Sequence, residues 1–227
     1  MSTQQTITAY YDDLADRYDT DRFGNTYGQY LHRQEKALLS PYLPLHQLDQ
    51  HLDLGCGTGR FLEFADHGLD VSQAMVKTAA AKFPQKDLQV GDATNLPFAD
   101  GQFERIFSIH VFMHLSQPVV SKILLEAHRV LRTGGLLLFD IPSLTRRNLI
   151  RYKAPSDWHG AFAMDQNVVH NMIANRWEIQ ACHGIAMLPI HRIPGSLRKP
   201  LIALDTMLCR TPLKAYSSYL LFVLRKK

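Results

Sequence analysis

The chain has 227 residues, of which 46% are hydrophobic and 20% charged, and its formal net charge is +4. This length and composition suit one globular domain with a substantial core. Three scattered cysteines exclude a disulfide framework, no apolar run reaches the roughly 20 residues of a membrane span, and residues 1–5 lack the features of a signal peptide. We therefore expect a cytoplasmic protein.

The predicted elements begin with a helical, tyrosine-rich segment over residues 7–40, which ends before two prolines. From His51 onward, short apolar runs alternate with amphipathic stretches, a pattern typical of βαβ units and a mostly parallel sheet. We predict strands over residues 52–54, 69–70, 88–90, 103–109, 136–139, 177–182 and 219–224. We predict helices over residues 60–66, 73–83 and 116–131, the last of them ended by two glycines.

The run Leu52-Asp53-Leu54-Gly55-Cys56-Gly57-Thr58-Gly59 follows the first predicted strand. Glycines at alternate positions let the backbone approach a ligand closely, and the helix that follows directs N–H groups towards it. A dinucleotide-binding fold would instead have G-x-G-x-x-G with an acid about 20 residues later. Here Asp70 ends the next strand and can accept hydrogen bonds from ribose hydroxyls. Asp92 follows the third strand and can hold an adenine edge.

Four motifs in this order resemble those of class I S-adenosylmethionine-dependent methyltransferases. They are LDLGCGTGR, LDVSQAM, GDATNLPFADGQFERIFS and EAHRVLRTGG, within residues 50–142. The branch they resemble contains ubiquinone/menaquinone-type and other small-molecule methyltransferases. The resemblance implies an α/β fold with a Rossmann-like seven-stranded mixed sheet, mostly parallel with an antiparallel last strand, sandwiched by helices.

We interpret residues 1–227 as one domain of this class with added helical and cap segments. Residues 1–45 form the N-terminal helical lid, and residues 46–142 form the cofactor-binding core. Residues 143–227 supply the cap segments and the last two strands.

The resemblance also implies S-adenosylmethionine as cofactor and suggests which residues hold it. Asp53 and the glycine-loop backbone would face its methionine end, Asp70 its ribose, and the backbone around residues 108–110 its amino group. The predicted cofactor-binding residues are Tyr18, Asp53, Gly55, Cys56, Gly57, Gly59, Asp70, Val71, Met75, Asp92, Ala93, Ser108 and His110.

Candidate catalytic residues are fewer, because the methyl group of a sulfonium is already activated and alignment supplies much of the acceleration. A general base is required only when the acceptor must lose a proton. His110, expected beside the methyl group, and His159 are the candidates. We interpret His114 as a packing or capping residue, and His191 lies in a Pro-rich loop. We predict no metal site, because the sequence has no paired ligand spacing.

The predicted reaction is methyl transfer to a small molecule, at oxygen or activated carbon in preference to nitrogen. A cofactor-binding scaffold or a non-methylating enzyme on the same fold remains an alternative, as does, with less support, a nicotinamide-dependent oxidoreductase.

Partners are suggested by an uneven charge distribution. Residues 1–144 hold 12 Lys/Arg against 17 Asp/Glu, and residues 145–227 hold 13 against 4. The basic part is either a solvated face or a region that attracts an anionic substrate, a carrier or a membrane surface. Arg146, Arg147 and Arg192 are the side chains expected to attract an anionic acceptor. No pattern indicates sequence-specific nucleic-acid binding, and the protein could be a monomer or a homodimer.

Overall fold

One seven-stranded sheet forms the centre of the computed structural model, which describes residues 3–154, 158–190 and 193–227. The strands are β1 (His51–Leu54), β2 (His67–Asp70), β3 (Asp87–Val90), β4 (Phe103–Ser108), β5 (Leu131–Pro142), β6 (Trp177–Ile185) and β7 (Tyr219–Lys226). Their order across the sheet is β3-β2-β1-β4-β5-β7-β6. β1 to β5 pair in parallel, and β7 lies antiparallel between β5 and β6. The predicted fold class, including the antiparallel last strand, is confirmed.

Helices cover both faces of this sheet. They are α1 (Thr3–Leu14), α2 (Tyr18–Phe23), α3 (Thr26–Leu39), α4 (Gln73–Lys82), α5 (Gln117–Val130), α6 (Leu144–Leu149), α7 (Gln166–Ile173) and α8 (Gly195–Leu208). Within the described part of the chain, no helix combines the length and the apolar character needed to cross a membrane.

Alternate residues of the central strands supply two separate cores. In β5, Leu137 and Phe139 pack with apolar residues of α5 and α7, whereas Leu136 and Leu138 pack with residues of α3 and the 188–202 region. The same alternation runs along β7. This is the period-two pattern of a strand that is buried on both faces, so the sheet lies between two helical layers.

Two predicted boundaries were wrong. The predicted helix over residues 60–66 is a single 3-10 turn, Leu62–Phe64. Phe61, Leu62, Phe64 and Ala65 are all at most 2% exposed and Glu63 between them is exposed, so the apolar spacing itself suits a helix. Only residues 60–66 join the glycine loop to β2, however, and the chain turns back to the sheet after one 3-10 turn. The fifth strand also begins at Leu131, before the two glycines that were expected to precede it.

The N-terminal helices are tied to the loops at the carboxyl edge of the sheet. Asp12 of α1 accepts hydrogen bonds from Ser72 Oγ, at 2.6 Å, and from the backbone N of Ala74, at 3.2 Å. Asp19 of α2 accepts one from Thr58 Oγ1, at 2.5 Å. These bonds join α1 and α2 to the start of α4 and to the glycine loop, and so fix one wall of the site.

Candidate active site

A cavity of about 710 Å³ opens at the carboxyl edge of β1 to β4. In open α/β sheets this edge is where ligands bind, because loops from neighbouring strands converge there. α1 and α2 complete its wall. The residues that line the cavity include Tyr11, Tyr18, Gly55, Gly57, Asp70, Val71, Met75, Asp92, Ala93, His110, His114 and Trp158.

The glycine loop after β1 adopts backbone conformations that L side chains rarely adopt. Gly55, Gly57 and Gly59 have φ of +79°, +51° and +90°. A Cβ on Gly55 would lie 2.4 Å from Val111 Cγ2, whereas one on Gly57 would meet no atom within 4 Å. Gly57 therefore faces the open cavity, and Gly55 permits close packing behind it. Gly59 packs against the Phe83 ring, outside the cavity wall.

Asp70, at the end of β2, is held rigidly by two backbone N–H groups. Gly57 N donates to Oδ2 at 2.8 Å and Ser72 N donates to Oδ1 at 2.9 Å. Each oxygen can accept a further hydrogen bond, since a carboxylate can accept about four. Burial raises the pKa of Asp70, and the N–H donors oppose that rise. Two oxygens held in this way at the cavity wall suit a vicinal diol such as a ribose.

The loop after β3 brings Asp92 and Ala93 to the same wall. Asp92 Oδ1 accepts hydrogen bonds from the backbone N of Thr94, at 2.8 Å, and from Thr94 Oγ1, at 2.9 Å. This turn fixes the carboxylate beside the cavity, which the apolar side chains of Val71 and Met75 also line. A flat aromatic base with a polar edge fits between such groups.

Asp53 lines a recess of about 40 Å³ that shares Gly55, Gly57 and His110 with the main cavity. The side chain is 4% exposed, and burial raises its pKa to about 8, an effect that Arg60 opposes. A cation placed beside a buried carboxyl group stabilises its ionised form, which burial disfavours. The recess therefore fits the amino group of an amino-acid moiety, and together with Asp70 and Asp92 it supports the fit of S-adenosylmethionine.

His110 lies between two buried carboxylates. Its Nε2 is 2.7 Å from Glu35 Oε1 and its Nδ1 is 3.2 Å from Asp140 Oδ2. Arg60 Nη1 donates to the other Glu35 oxygen at 2.6 Å, and Asp140 Oδ1 accepts the backbone N–H of His110 at 2.6 Å. We call Glu35, Arg60, His110 and Asp140 the ion-paired cluster. Burial alone would lower the pKa of His110, but Glu35 and Asp140 raise it above its usual range.

An acid–histidine–acid arrangement also has the composition of a metal site, since the ligand atoms of Glu35, His110 and Asp140 lie within 4.8 Å of one another. A protonated His110 and Arg60 already balance the two carboxylates. A dication in the same place would leave the cluster with excess positive charge, so we interpret it as an ion-pair network that joins α3 to the loop after β4.

Tyr11 and His114, which both line the cavity, form a hydrogen-bonded pair. The backbone N–H of Gly160 donates to His114 Nδ1 at 2.9 Å. Nδ1 is therefore an acceptor, and in the neutral ring the proton is on Nε2, which lies 3.0 Å from Tyr11 Oη. Burial lowers the pKa of His114 to about 3. The neutral imidazole thus donates its Nε2–H to Tyr11 Oη, and the hydroxyl proton of Tyr11 can form a hydrogen bond with another group.

Aromatic rings surround this pair. Trp158 lies edge-on to His114, with ring centroids 5.2 Å apart, and Tyr18 packs edge-on to Tyr11 at 6.2 Å. The ring centroid of His159, a predicted catalytic residue, lies 4.8 Å from that of His114, and His159 is not among the residues that line the cavity. The part of the cavity wall formed by Tyr11, Tyr18, His114 and Trp158 is therefore aromatic, and the Tyr11 hydroxyl is a polar group within it.

Several residues that the sequence suggested for the site instead contact the sheet, the core or backbone carbonyl oxygens. Ser108 Oγ donates to Leu54 O at 2.7 Å within the sheet, and Cys56 packs against Leu62 and Ala79 with its backbone at the recess. Arg146 donates to the carbonyl oxygens of Met187 and Tyr216, and Arg147 donates to those of Gly160 and Ala161. His191 and Arg192 lie outside the described residues.

Sequence reasoning missed Glu35, Asp140 and Tyr11. Asp140 had a signal, because it is an acid near the carboxyl end of a predicted strand. Glu35 and Tyr11 lie in the tyrosine-rich helical segment predicted over residues 7–40, where the sequence does not distinguish either residue from its neighbours. Their contacts with His110 and His114 depend on how the helices of this segment lie on the sheet.

Comparisons with known proteins agree with this geometry. Residues 52–139 match the family model described as a methyltransferase domain. The biotin biosynthesis bifunctional protein BioHC of Cellvibrio japonicus is 37% identical over 153 residues, which cover 58% of this chain and 30% of that protein. A demethylmenaquinone methyltransferase of Renibacterium salmoninarum is 33% identical over 138 residues, which cover 58% of this chain and 56% of that protein. The match thus spans less than two thirds of either relative.

The fold is similar to that of a solved structure over nearly the whole length. Magnesium protoporphyrin IX methyltransferase from Synechocystis PCC 6803, with bound SAM, aligns with a TM-score of 0.66 and 13% identity, covering 100% of this chain and 98% of that one.

Proposed function

We propose that the chain is a class I S-adenosylmethionine-dependent methyltransferase that transfers the cofactor's methyl group to a small-molecule acceptor; residues 52–139 match the methyltransferase-domain family model. The observation that carries this proposal is a single cavity with two kinds of wall. Asp70 and Asp92 line one part of it, and Tyr11, His114 and Trp158 line another. A cofactor held by the two acids would share the cavity with an acceptor held among the aromatic rings.

S-adenosylmethionine supplies a methyl group that is already activated on a sulfonium, so the protein mainly has to align the two reactants. We assign Asp70 to the ribose hydroxyls, Asp92 and Ala93 to the adenine, and Asp53 to the amino group. Bringing that cation beside Asp53 favours the ionised carboxylate, because the two charges attract in a buried recess. These contacts orient the cofactor without any proton transfer in the methyl-transfer step.

The hydrogen bonds around Tyr11 favour an acceptor that carries oxygen at or beside the reacting atom. Tyr11 Oη accepts a hydrogen bond from His114 Nε2–H, so the Tyr11 O–H can donate to the acceptor. Burial raises the pKa of Tyr11 far above its usual range, so the hydroxyl keeps its proton. A donor in this place suits a phenolate, an enolate or a carbonyl oxygen next to an activated carbon, all of which gain from an O–H donor.

We assign His110 a positioning role in place of the general-base role that its sequence position suggested. With Glu35 and Asp140 beside its ring, it retains its proton, and a protonated imidazole cannot accept another. Its φ of 62°, unusual for a residue other than glycine, is held by the hydrogen bond from its backbone N to Asp140. The ion-paired cluster thereby sets the path of the loop that faces Gly55 and Gly57.

The proposal is tested by incubating the protein with methyl-labelled S-adenosylmethionine and fractions of small metabolites rich in phenols and enolisable ketones. We expect S-adenosylhomocysteine to form together with a labelled small molecule. Binding of S-adenosylhomocysteine without label transfer to any fraction would contradict the proposal and favour the scaffold or non-methylating alternative. A free acceptor and a carrier-bound acceptor are distinguished by the mass of the labelled product.

The Tyr11→Phe variant should lower kcat/KM for the acceptor about tenfold, because one hydrogen bond to it is lost. Binding of S-adenosylhomocysteine, measured by calorimetry, should change little. Tyr10→Phe is the matched control, since the Tyr10 hydroxyl accepts a hydrogen bond from Arg22 and does not line the cavity. Equal activity of the two variants would contradict the role given to Tyr11.

The pH profile of the reaction should show no ionisation of His114 near neutral pH. Its pKa of about 3 keeps the ring neutral from mildly acidic to alkaline solution, so its hydrogen bond to Tyr11 does not change there. The measurement is kcat/KM from pH about 5 to 9, at saturating cofactor, with an acceptor that does not titrate in that range. An acidic limb near the usual histidine pKa that disappears in His114→Asn would contradict this and identify His114 as a base.

A further inference from the structure

Exposed apolar side chains are concentrated in two short segments near the C-terminal half of the chain. Of eleven large hydrophobic residues exposed among the described residues, seven lie within residues 149–152 and 204–216. They are Leu149, Ile150, Tyr152, Leu204, Met207, Leu213 and Tyr216, and Leu149 is 66% exposed. Scattered apolar residues need no explanation, but a concentration of this kind marks an interaction surface.

The two segments lie against each other in the fold. Arg146 of α6 donates to the carbonyl oxygen of Tyr216 at 2.7 Å, and the backbone N of Ser143 donates to Ser218 O at 3.2 Å. The end of α6 therefore lies beside the turn that follows α8. We call residues 149–153 and 207–216 together the apolar–basic surface.

The charges of this surface have one sign. Arg151, Lys153, Arg210 and Lys214 lie among the apolar residues, and none of them forms an ion pair with another described residue. Residues 144–154 and 204–216 contain a single acid, Asp205, which is 0% exposed. Among the described residues, the apolar–basic surface thus carries positive charge that no ion pair with a carboxylate neutralises.

Exposed aliphatic side chains and a tyrosine among uncompensated Lys and Arg are the features of proteins that lie on anionic bilayers. We propose that the apolar–basic surface binds a membrane of anionic phospholipid. The aliphatic side chains enter the boundary between headgroups and acyl chains, and the four basic residues meet the lipid phosphates. This inference concerns a surface outside the cavity and does not depend on methyl transfer.

Two other occupants fit less well. A second copy of the chain, related by a twofold axis, would bring two basic surfaces together, and their like charges repel. An acidic protein would match the charge. However, Leu149, Ile150 and Met207 are each more than half exposed, so they protrude. A protein partner must offer pockets that fit such side chains, whereas the boundary of a bilayer accepts them without matching pockets.

The surface is also connected to the acceptor end of the cavity. Arg147 lies over the ring of Tyr152, with its guanidinium carbon 4.5 Å from the ring centroid. The same guanidinium donates to Gly160 O at 2.8 Å, and the N–H of Gly160 donates to His114. A membrane bound at Tyr152 therefore lies against the element that holds the Tyr11–His114 pair.

The test is co-sedimentation of the full chain with vesicles of phosphatidylcholine alone or mixed with phosphatidylglycerol, at low and at high salt. We expect binding to the anionic vesicles that weakens as salt rises. Leu149→Ser with Ile150→Ser should weaken it at least about tenfold, because two apolar side chains no longer enter the bilayer. Lys153→Gln with Arg210→Gln should weaken it at least about tenfold at low salt.

Matched controls are Leu125→Ser, a residue of α5 that is 50% exposed, and Lys77→Gln with Arg33→Gln, two exposed basic residues elsewhere. Both should sediment like the wild type, and all variants should bind S-adenosylhomocysteine normally, which shows that they are folded. The proposal is overturned if anionic vesicles do not bind, or if Leu125→Ser weakens binding as much as the Leu149–Ile150 pair. It is also overturned if light scattering shows a dimer that the Leu149–Ile150 pair abolishes.

Discussion

The Asp70→Asn variant should bind S-adenosylhomocysteine about 100-fold more weakly than the wild type, because two hydrogen bonds to a charged acceptor become weaker or are lost. An asparagine in this place must also direct its NH₂ group at either Gly57 N or Ser72 N, both of which are donors. The amide therefore cannot accept from both backbone groups and from a ribose diol.

Calorimetric titration with S-adenosylhomocysteine measures this effect. Asp100→Asn is the matched control, because Asp100 is 80% exposed and pairs only with Arg129 among the described residues, and surface ion pairs contribute little. Thermal unfolding of the apo-protein separates loss of affinity from loss of fold. A change in affinity below about threefold, less than the loss of one ordinary hydrogen bond, would remove Asp70 from the cofactor site.

The Glu35→Gln variant should be destabilised by about 3 kcal/mol or more, because His110 and Arg60 keep their charges in a buried site while one of two carboxylates is neutralised. Glu35 is 1% exposed. For a chain of this size that energy lowers the melting temperature by roughly 6–12 °C. The control is Glu178→Gln, an exposed residue of β6 that forms no ion pair with another described residue.

The effect of Glu35→Gln should also depend on pH. Burial alone would raise the pKa of Glu35, but His110 and Arg60 lower it below its usual range. An acid whose pKa is lowered on folding stabilises the protein above its unfolded pKa, and this contribution disappears as pH falls through its folded pKa.

The raised pKa of His110 makes stability depend on pH in the opposite sense. Its contribution is complete below the unfolded pKa and is lost as pH rises through the folded one. The difference in melting temperature between wild type and Glu35→Gln should therefore be greatest in mildly acidic to neutral solution and shrink on further acidification. A difference that does not vary with pH would show that Glu35 acts only by filling space.

The sequence by itself determined the sheet and the cofactor end of the site. Residues 52–59 and Asp70 carry their information locally, since alternate glycines permit positive φ and a strand must end where its apolar run ends. Strand positions follow from short-range patterning, and parallel strands bring their carboxyl ends to one edge. The fold class and the resemblance to a methyltransferase domain could therefore be predicted without any knowledge of tertiary contacts.

The tertiary structure alone decided the Tyr11–His114 pair and the state of the histidines. Tyr11 meets His114 across 103 positions of sequence, and His110 meets Glu35 and Asp140 from two other elements. His110 and His114 are only four residues apart. Burial acts to lower the pKa of both, but Glu35 and Asp140 raise the pKa of His110 above its usual range, whereas burial and the nearby cationic groups lower the pKa of His114. A histidine's role depends on the charges that surround it in space, and those come from helices whose placement no local pattern specifies.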